Sequence, residues 1–303
     1  MFDVIIIGSG PAGLAAAIYG QRARLNTLVI EKQPMSGGQI LNTYEVDNYP
    51  GLPGLGGFEL GMKLRAHADA MEAKFVQADV TKVEKTEQGY RVITGKENYE
   101  TKTVVFATGA GHRKLNVPGE EELCGMGVSY CATCDGAFFR DKVTAVVGGG
   151  DVALEDALFL ARACKKVYLI HRRDEFRGAR VLQEKVLATE NIEVLWNSQV
   201  EAIEGKEQVE KIKVYNNIEE TRSEIPVDGV FIAVGILPNS EVAKGVCRLD
   251  EGGYIVAGED GRTSAAGVFA GGDVRTKQLR QVITAAADGA NVITSVENFL
   301  YSL

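Results

Sequence analysis

The stretch 2-FDVIIIGSGPAGLAAAIYGQRARLNTLVIEK-32 contains the pattern that decides the fold. A short apolar run, 4–7, leads into a glycine-rich segment, and an alanine-rich helical segment follows. A second apolar run, 27–30, ends at Glu31. The order predicts strand, glycine turn, helix and strand. The three glycines permit a tight turn, close approach of a pyrophosphate and close packing of helix on strand: Gly8, Gly10 and Gly13.

Both ends of this unit predict a bound dinucleotide. The N-terminus of the helix offers free N–H groups and the positive end of the helix dipole to phosphate groups. Glu31, at the end of the second strand, can accept hydrogen bonds from a ribose 2′-hydroxyl. The first unit therefore predicts a dinucleotide with an unphosphorylated ribose, such as FAD.

The same pattern returns in 142-KVTAVVGGGDVALEDALFLARACKKVYLIHRR-173. Glu31 follows Gly8 by 23 positions, and His171 follows Gly148 by the same 23 positions. A cationic cluster thus replaces the acid, and it suits a ribose that carries a 2′-phosphate. The second unit therefore predicts NADP(H) rather than NAD(H). The members of the predicted cluster are His171, Arg172, Arg173 and Arg177.

Further strands that end in glycine turns, at 103–110, 229–236 and 267–274, indicate that both units continue. The predicted fold is α/β, with two Rossmann-like dinucleotide-binding domains of the three-layer ββα/α-β type, the second inserted into the first. Two crossings rich in turn formers, 116–121 and 237–245, predict a hinge. The predicted segments are 1–113 for the FAD domain, 114–243 for the NADPH domain, and 244–303 for the return to the FAD domain.

The pair Cys131 and Cys134, in the stretch CATCDG, lies just before the second unit. A zinc site normally needs four ligands, and the sequence offers neither a second C-x-x-C nor a histidine pair. Inert core cysteines are a simpler alternative. A redox-active dithiol fits the spacing best, because one thiol near a helix start has a lowered pKa and thiolates perform disulfide exchange. Asp135 is placed to move the proton that exchange requires, or to cap a helix.

The composition of the chain indicates which classes of partner and which compartment to expect. The net charge of −8 argues against nucleic acid or an anionic membrane as the main partner. No apolar run approaches the roughly 18 residues of a membrane helix, and the N-terminal residues lack a secretory leader. Five cysteines in 303 residues do not resemble a secreted disulfide framework. These features predict a cytoplasmic protein.

Eight motifs together resemble the bacterial-type, low-molecular-weight thioredoxin reductases over nearly all 303 residues. They are GSGPAG, GGQI, EVDNYPG, ATGA, CATCDG, GGGDVALEDA, HRRDEFR and GGDVRTKQLRQV. The resemblance implies electron transfer from NADPH through FAD to the Cys131/Cys134 dithiol and on to the disulfide of thioredoxin. It implies that Cys134 faces the flavin, that Cys131 attacks the partner and that Asp135 is the acid–base. It also implies a homodimer whose domains alternate between two orientations.

The predicted cofactor sites follow from the two units and the resemblance, and no metal is predicted. The FAD set is Gly8, Gly10, Pro11, Ala12, Gly13, Glu31, Lys32, Gly37, Gly38, Gln39, Asn48, Gly109, Gly272, Asp273, Arg280, Gln281 and Val282. The NADPH set is Gly148, Gly150, Asp151, Val152, His171, Arg172, Arg173 and Arg177.

Val152 departs from the family pattern, which often has a serine or threonine at this position. A valine cannot donate a hydrogen bond to a phosphate, so its presence leaves open a weaker NADPH site or another donor such as ferredoxin. Relatives that use ferredoxin typically lose the arginine cluster that this chain keeps. Two further alternatives stay open: reduction of another protein or small-molecule disulfide, and a redox-sensing flavoprotein with slow turnover.

Overall fold

The computed structural model describes residues 1–42, 46 and 48–303, with the side chains of Asn42 and Cys134 left aside. The helices are α1 Pro11–Arg22, α2 Gly57–Ala70, α3 Ala132–Asp135, α4 Asp151–Ala161, α5 Arg180–Ala188 and α6 Val282–Leu300. The strands are β1 Phe2–Ile7, β2 Thr27–Glu31, β3 Lys74–Gln77, β4 Val80–Thr86, β5 Gly89–Thr94, β6 Asn98–Phe106, β7 Ala110–His112, β8 Val128–Ser129, β9 Val143–Gly148, β10 Lys166–Ile170, β11 Ile192–Leu195, β12 Ser198–Glu204, β13 Lys211–Asn216, β14 Thr221–Pro226, β15 Gly229–Ala233, β16 Ile236–Pro238 and β17 Val268–Ala270. Short 3₁₀ turns cover Gly38–Asn42, Gly136–Phe139 and Glu241–Ala243.

The chain divides into two compact units. Unit 1 contains residues 1–111 and 237–303, and unit 2 contains residues 112–236. Unit 1 holds a sheet in the order β3-β2-β1-β6, and the long strand β6 pairs with both β5 and β17 on its other edge. The pairs around β1 and β17 are parallel, whereas β4, β5 and β6 pair antiparallel.

Alternation along β1 explains the layers of unit 1. Ile5 and Ile7 face a core that includes the antiparallel strands β4 and β5. Val4 and Ile6 face the opposite core, which is formed with α1 and α6. Because successive side chains of a strand point to opposite faces, one apolar run builds both layers. A Cβ on Gly289 of α6 would lie 2.2 Å from the backbone oxygen of Ala12, so a glycine at this position allows α1 and α6 to touch.

Unit 2 repeats this design. Its main sheet has five strands in the order β11-β10-β9-β15-β8, and all of their pairings are parallel. Val146 of β9 packs against α4 on one face, while Ala145 and Val147 pack towards the antiparallel sheet β12-β13-β14 on the other. The predicted α/β class, with two three-layer dinucleotide-binding folds and the second inserted into the first, is confirmed.

The strands of the two crossings, β7 and β16, pair with each other. The second crossing lies at residues 236/237, seven residues before the predicted boundary at 243/244. The reason is that Ala243 is fully buried in the unit 1 core, with Ile5 and Val83. The turn formers that follow β16 therefore belong to unit 1.

In the described part of the chain, no helix combines the length and apolar character that spanning a membrane requires. Over the same residues, no group of three or more histidine, cysteine, aspartate or glutamate side chains has the arrangement of a metal site.

Candidate active site

The first glycine turn is closed on one side and open on the other. Gly8 has φ of +102°, a value that favours glycine, and a Cβ on Gly13 would lie 1.9 Å from the Gly8 carbonyl oxygen. A Cβ on Gly10 would meet its nearest neighbour, Gly38, only at 3.9 Å. Helix α1 begins at Pro11, and no side chain caps its first amides. The open side of the turn thus presents unpaired N–H groups that suit a phosphate.

Glu31 lies at this turn, as the sequence predicts. Its Oε2 accepts hydrogen bonds from the amide and the hydroxyl of Ser9, each at 2.7 Å. Gly37 donates its N–H to the Ser9 carbonyl at 2.9 Å. The predicted flavin residues Gly37 and Gly38 therefore lie beside the first glycine turn. A cavity of about 200 Å³ beside Glu31 is lined in part by Arg65 and Phe75. The exposed Lys32 pairs instead with Asp79, at 3.0 Å.

The segment after β17 completes this end of unit 1. Gly272 lies against α1, since a Cβ there would be 2.9 Å from that of Ala12. Asp273 Oδ1 and Arg280 Nε are buried and have no hydrogen-bond partner among the described residues. Burial raises the pKa of Asp273, although three nearby cations, Lys277 foremost, oppose the rise. A buried polar atom without a partner is costly, so these two atoms indicate where a bound polar group belongs.

A buried ionic cluster supports this segment. The Asp288 carboxylate accepts hydrogen bonds from Arg275 at 2.9 and 2.6 Å, from Lys277 at 2.9 Å and from the Gly272 amide at 2.8 Å. The three charged side chains are each 6 % exposed. Burial opposes ionisation of Asp288, but the Arg275 and Lys277 hydrogen bonds outweigh it and lower its pKa. The cluster fixes the backbone that carries Asp273.

The remaining predicted flavin residues lie in unit 1, and three of them meet at the start of α6. The Asn48 amide donates to Gln281 Oε1 at 2.9 Å, and Gln281 forms a capping box with Thr284 at the helix start, immediately before Val282. The Gln39 amide donates to the carbonyl of Ala110. Gly109 has φ of +68°, and a Cβ there would meet no atom within 4 Å.

The second glycine turn has the same open geometry. A Cβ on Gly148 would lie 2.4 Å from the Ala233 carbonyl oxygen, whereas one on Gly150 would meet nothing within 4 Å. No side chain caps the first amides of α4. The Asp151 carboxylate instead accepts the Ala179 amide, at 2.6 Å. Val152 is 62 % exposed in the first turn of α4.

His171 departs from the predicted cationic cluster. The ring is only 6 % exposed, its Nε2 lies 2.9 Å from the Glu175 carbonyl oxygen, and it packs between Phe176 and Trp196. Burial is the main cause that lowers the pKa of His171, and the ring is therefore neutral at pH 7. The ring lies so close to Gly149 that a Cβ there would be 2.2 Å from it. His171 shapes the loop that carries the arginines.

The other three members of the cluster are exposed: Arg172, Arg173 and Arg177. Within the described part of the chain, their side chains form neither an ion pair nor a hydrogen bond to protein. The amide of Arg177 donates to the Gly149 carbonyl at 2.8 Å. This hydrogen bond joins the loop that carries the arginines to the second glycine turn. Unit 2 thus presents unpaired guanidinium groups in the loop that returns to an open glycine turn.

The redox segment lies in the same unit. Cys131 is disulfide-bonded and precedes the short helix α3, while Cys124, Cys164 and Cys247 are free thiols. The predicted role of Cys134 concerns a side chain outside the described ones. A Cβ on Gly136 would lie 3.0 Å from Leu160 and 3.1 Å from Phe159, so the segment packs on α4.

Tyr130 anchors the residue before the disulfide. Its hydroxyl donates to Glu120 Oε1 at 2.8 Å, and its ring stacks on His112 with 5.1 Å between centroids. The Glu120 side chain is buried and also accepts the amides of Leu115 and Asn116, at 2.9 and 2.6 Å. The segment that follows β7 and the redox segment are therefore linked through one carboxylate. Burial, followed by the Glu120 hydrogen bond, raises the pKa of Tyr130.

Sequence reasoning missed three polar residues that contact predicted site residues or their backbone within one unit: Ser9 and Asp288 in unit 1, and Ser129 in unit 2. Ser9 lies between two glycines, where the motif specifies no side chain. Asp288 offers one signal, because it is an acid within an otherwise apolar stretch of α6. Ser129 gives no signal, since its partner is set by the turn around Cys131.

Comparison with known proteins identifies the family. The model for "Pyridine nucleotide-disulphide oxidoreductase" matches residues 2–289. Thioredoxin reductase from Listeria innocua is 43% identical over 304 residues, which cover 100% of this chain and 95% of that protein. The crystal structure of thioredoxin reductase from Streptococcus pyogenes is 42% identical, with a TM-score of 0.86 and coverage of 100% and 99%.

A more distant solved structure bears on the electron donor. It is a ferredoxin-flavin thioredoxin reductase from Clostridium acetobutylicum, 30% identical, with a TM-score of 0.54 and coverage of 100% and 99%. The full-length matches at 42–43% identity, the two glycine turns and the disulfide-bonded Cys131 lead to one assignment. The chain belongs to the pyridine nucleotide-disulphide oxidoreductase family and, within it, to the thioredoxin reductases.

Proposed function

We propose that this oxidoreductase uses NADPH, bound by unit 2, and FAD, bound by unit 1, to reduce the Cys131–Cys134 disulfide, and that the resulting dithiol reduces thioredoxin. The observation that carries the proposal is the unpaired arginine cluster beside the open glycine turn of α4, in the same unit as the disulfide-bonded Cys131. A cytoplasmic homodimer is the form of the protein that this proposal assumes.

The residues of unit 1 fit a flavin dinucleotide. The open turn at Gly10 and the uncapped start of α1 suit its pyrophosphate, and Glu31 beside the 200 Å³ cavity suits the adenosine ribose. The two buried atoms that lack partners, on Asp273 and Arg280, suit polar groups further along the same ligand. Bound flavin supplies a two-electron carrier between nicotinamide and disulfide chemistry.

Unit 2 selects the phosphorylated dinucleotide through Arg172, Arg173 and Arg177. Guanidinium groups without carboxylate partners remain available for a 2′-phosphate, which they bind through charge-assisted hydrogen bonds. His171, being neutral and buried, contributes by holding the loop rather than by its charge. Val152 offers no hydroxyl to the phosphates, so the backbone amides of the turn take that role.

Ferredoxin is the alternative electron donor. A ferredoxin donor would leave this arginine cluster without a ligand, and retention of three exposed, unpaired arginines favours NADPH. The partner disulfide follows from thioredoxin reductases that match the full chain. Activity with another disulfide protein in place of thioredoxin would keep the electron path and change only its last step.

The double variant Arg172→Ala, Arg173→Ala tests the NADPH assignment. We expect the KM for NADPH to rise by about ten- to a hundredfold for each lost phosphate contact, because such charge-assisted contacts contribute about 1.5–3 kcal/mol. The KM for NADH should stay nearly constant, since NADH lacks the 2′-phosphate. The measurement is steady-state turnover with thioredoxin and each nucleotide in turn.

The matched control is Arg162→Ala, which removes an exposed arginine at the opposite end of α4. It should change neither KM. An equal rise in the two Michaelis constants of the double variant would refute recognition of the 2′-phosphate by these arginines.

A further inference from the structure

Ser129 links the acid–base residue to the redox cysteine. It is the last residue of β8 and is 6 % exposed. Its Oγ lies 2.5 Å from Asp135 Oδ2 and accepts the Cys131 amide at 3.0 Å. One buried hydroxyl therefore touches both the Asp135 carboxylate and the backbone of the disulfide-bonded cysteine.

The direction of these hydrogen bonds follows from counting protons. A serine hydroxyl has one hydrogen to donate and two lone pairs that accept. The Cys131 carbonyl oxygen lies 3.3 Å away and competes with Asp135 Oδ2 for that hydrogen. The carboxylate is nearer and charged, and charged acceptors form the stronger bond. Ser129 therefore donates to Asp135 while it accepts from the Cys131 amide.

The two oxygens of Asp135 are consequently not equivalent. Oδ2 is occupied by Ser129. Oδ1 receives no hydrogen bond from the described part of the chain, and it is not among the buried atoms without a partner. An incoming proton has its open position on Oδ1.

We propose that Ser129 is a positioning residue of dithiol–disulfide exchange, which fixes the Asp135 carboxyl group so that Oδ1 carries the transferred proton. This proposal rests on the proposed function, because it deepens the role of Asp135 in that reaction.

In the exchange, Asp135 Oδ1 first takes the proton of the Cys131 thiol. The Cys131 thiolate attacks one sulfur of the partner disulfide, that S–S bond breaks, and the departing partner thiolate takes the proton from Asp135 Oδ1. The carboxylate then takes the proton of the Cys134 thiol. The Cys134 thiolate attacks the Cys131 sulfur, and the second partner thiolate receives that proton. The dithiol loses two electrons and two protons, and the partner disulfide gains those two electrons and two protons.

Ser129 acts through geometry. Its hydroxyl binds Asp135 Oδ2, so Oδ1 is the oxygen that is presented to the departing thiolate. The same hydroxyl is held by the Cys131 amide, which prevents rotation of the carboxyl group. Without the serine, the carboxyl group can rotate and the proton occupies less defined positions.

The test compares Ser129→Ala with the conservative Ser129→Thr in the FAD-loaded protein. We expect Ser129→Ala to slow thioredoxin reduction by about tenfold or more, a part of the 10²–10⁴-fold that general acid–base catalysis contributes. Ser129→Thr, which keeps a hydroxyl at this position, should restore the rate. Asp135→Asn should remove any further effect of Ser129→Ala.

Flavin reduction by NADPH is measured in the same samples and should stay within about twofold of the unchanged protein. If NADPH does not reduce the flavin of the unchanged protein, that result contradicts the proposed function and not the role of Ser129. The Ser129 proposal is overturned by a Ser129→Ala protein with normal thioredoxin reduction. It is equally overturned if Ser129→Ala slows the Asp135→Asn protein as much as it slows the unchanged protein, since that result indicates a role independent of Asp135.

Discussion

Cys134→Ser is expected to lose thioredoxin reduction completely while it keeps bound FAD and remains reducible by NADPH. In the proposed mechanism the electron pair reaches the partner only through the dithiol, and a serine cannot form the disulfide that completes exchange. The remaining Cys131 thiolate can still attack thioredoxin. A mixed disulfide between Cys131 and thioredoxin should therefore accumulate, and non-reducing electrophoresis with mass spectrometry detects it.

The matched control is Cys124→Ser, which removes an exposed free thiol from the same unit. It should leave turnover unchanged. Normal thioredoxin reduction by the Cys134→Ser protein would end the dithiol mechanism. If the mixed disulfide accumulates with Cys131→Ser and not with Cys134→Ser, the roles of the two cysteines are the reverse of those proposed.

Asp288→Asn is expected to cost about 3–5 kcal/mol of unit 1 stability, because it leaves two buried cations without their counter-charge. Arg275 and Lys277 are each only 6 % exposed, and Asp288 is the carboxylate that both bind. The loop that carries Asp273 should loosen with it, so FAD should dissociate at lower temperature. Flavin fluorescence during heating measures that release, and circular dichroism measures unfolding.

The pH dependence of this effect has a defined sign. The pKa of Asp288 is lowered in the folded protein, so its contribution is present above the unfolded pKa, about 3.9 for aspartate. It is lost as pH falls through the folded value. The difference between the two proteins should therefore be full at pH 7 and shrink in acid.

Asp79→Asn is the matched control, since Asp79 pairs with Lys32 in an exposed ion pair. Exposed pairs contribute about 0–1 kcal/mol, so this change should barely move either transition. Equal effects of Asp288→Asn and Asp79→Asn would contradict the structural role of the buried cluster.

The sequence was most informative where structure is local. The alternation within 4–7 and the glycine spacing that follows predict strand, turn and helix, and both units form as predicted. The equal spacing of 23 positions also has a structural counterpart. Glu31 touches Ser9, the residue between Gly8 and Gly10, and His171 touches Gly149, the residue between Gly148 and Gly150.

The sequence was least informative where contacts are set by tertiary packing. The sequence predicts His171 as one of four cations. Its ring instead lies buried against the turn, because Gly149 has no side chain to exclude it. Asp288 and Arg275 meet only because α6 packs beside the end of β17. The unit boundary at 236/237, within β16, reflects burial of Ala243 in the core of unit 1, which turn-forming residues do not reveal.

Anaerobic stopped-flow absorbance of the FAD-loaded protein tests the central claim most directly. The protein is mixed with NADPH or, separately, with NADH, and oxidised thioredoxin is then added. We predict rapid bleaching of the flavin by NADPH, much slower bleaching by NADH, and return of the oxidised spectrum with thioredoxin. No bleaching by either nucleotide, with FAD bound, would contradict the account, because electrons would then not enter through the glycine turn and arginine cluster of unit 2.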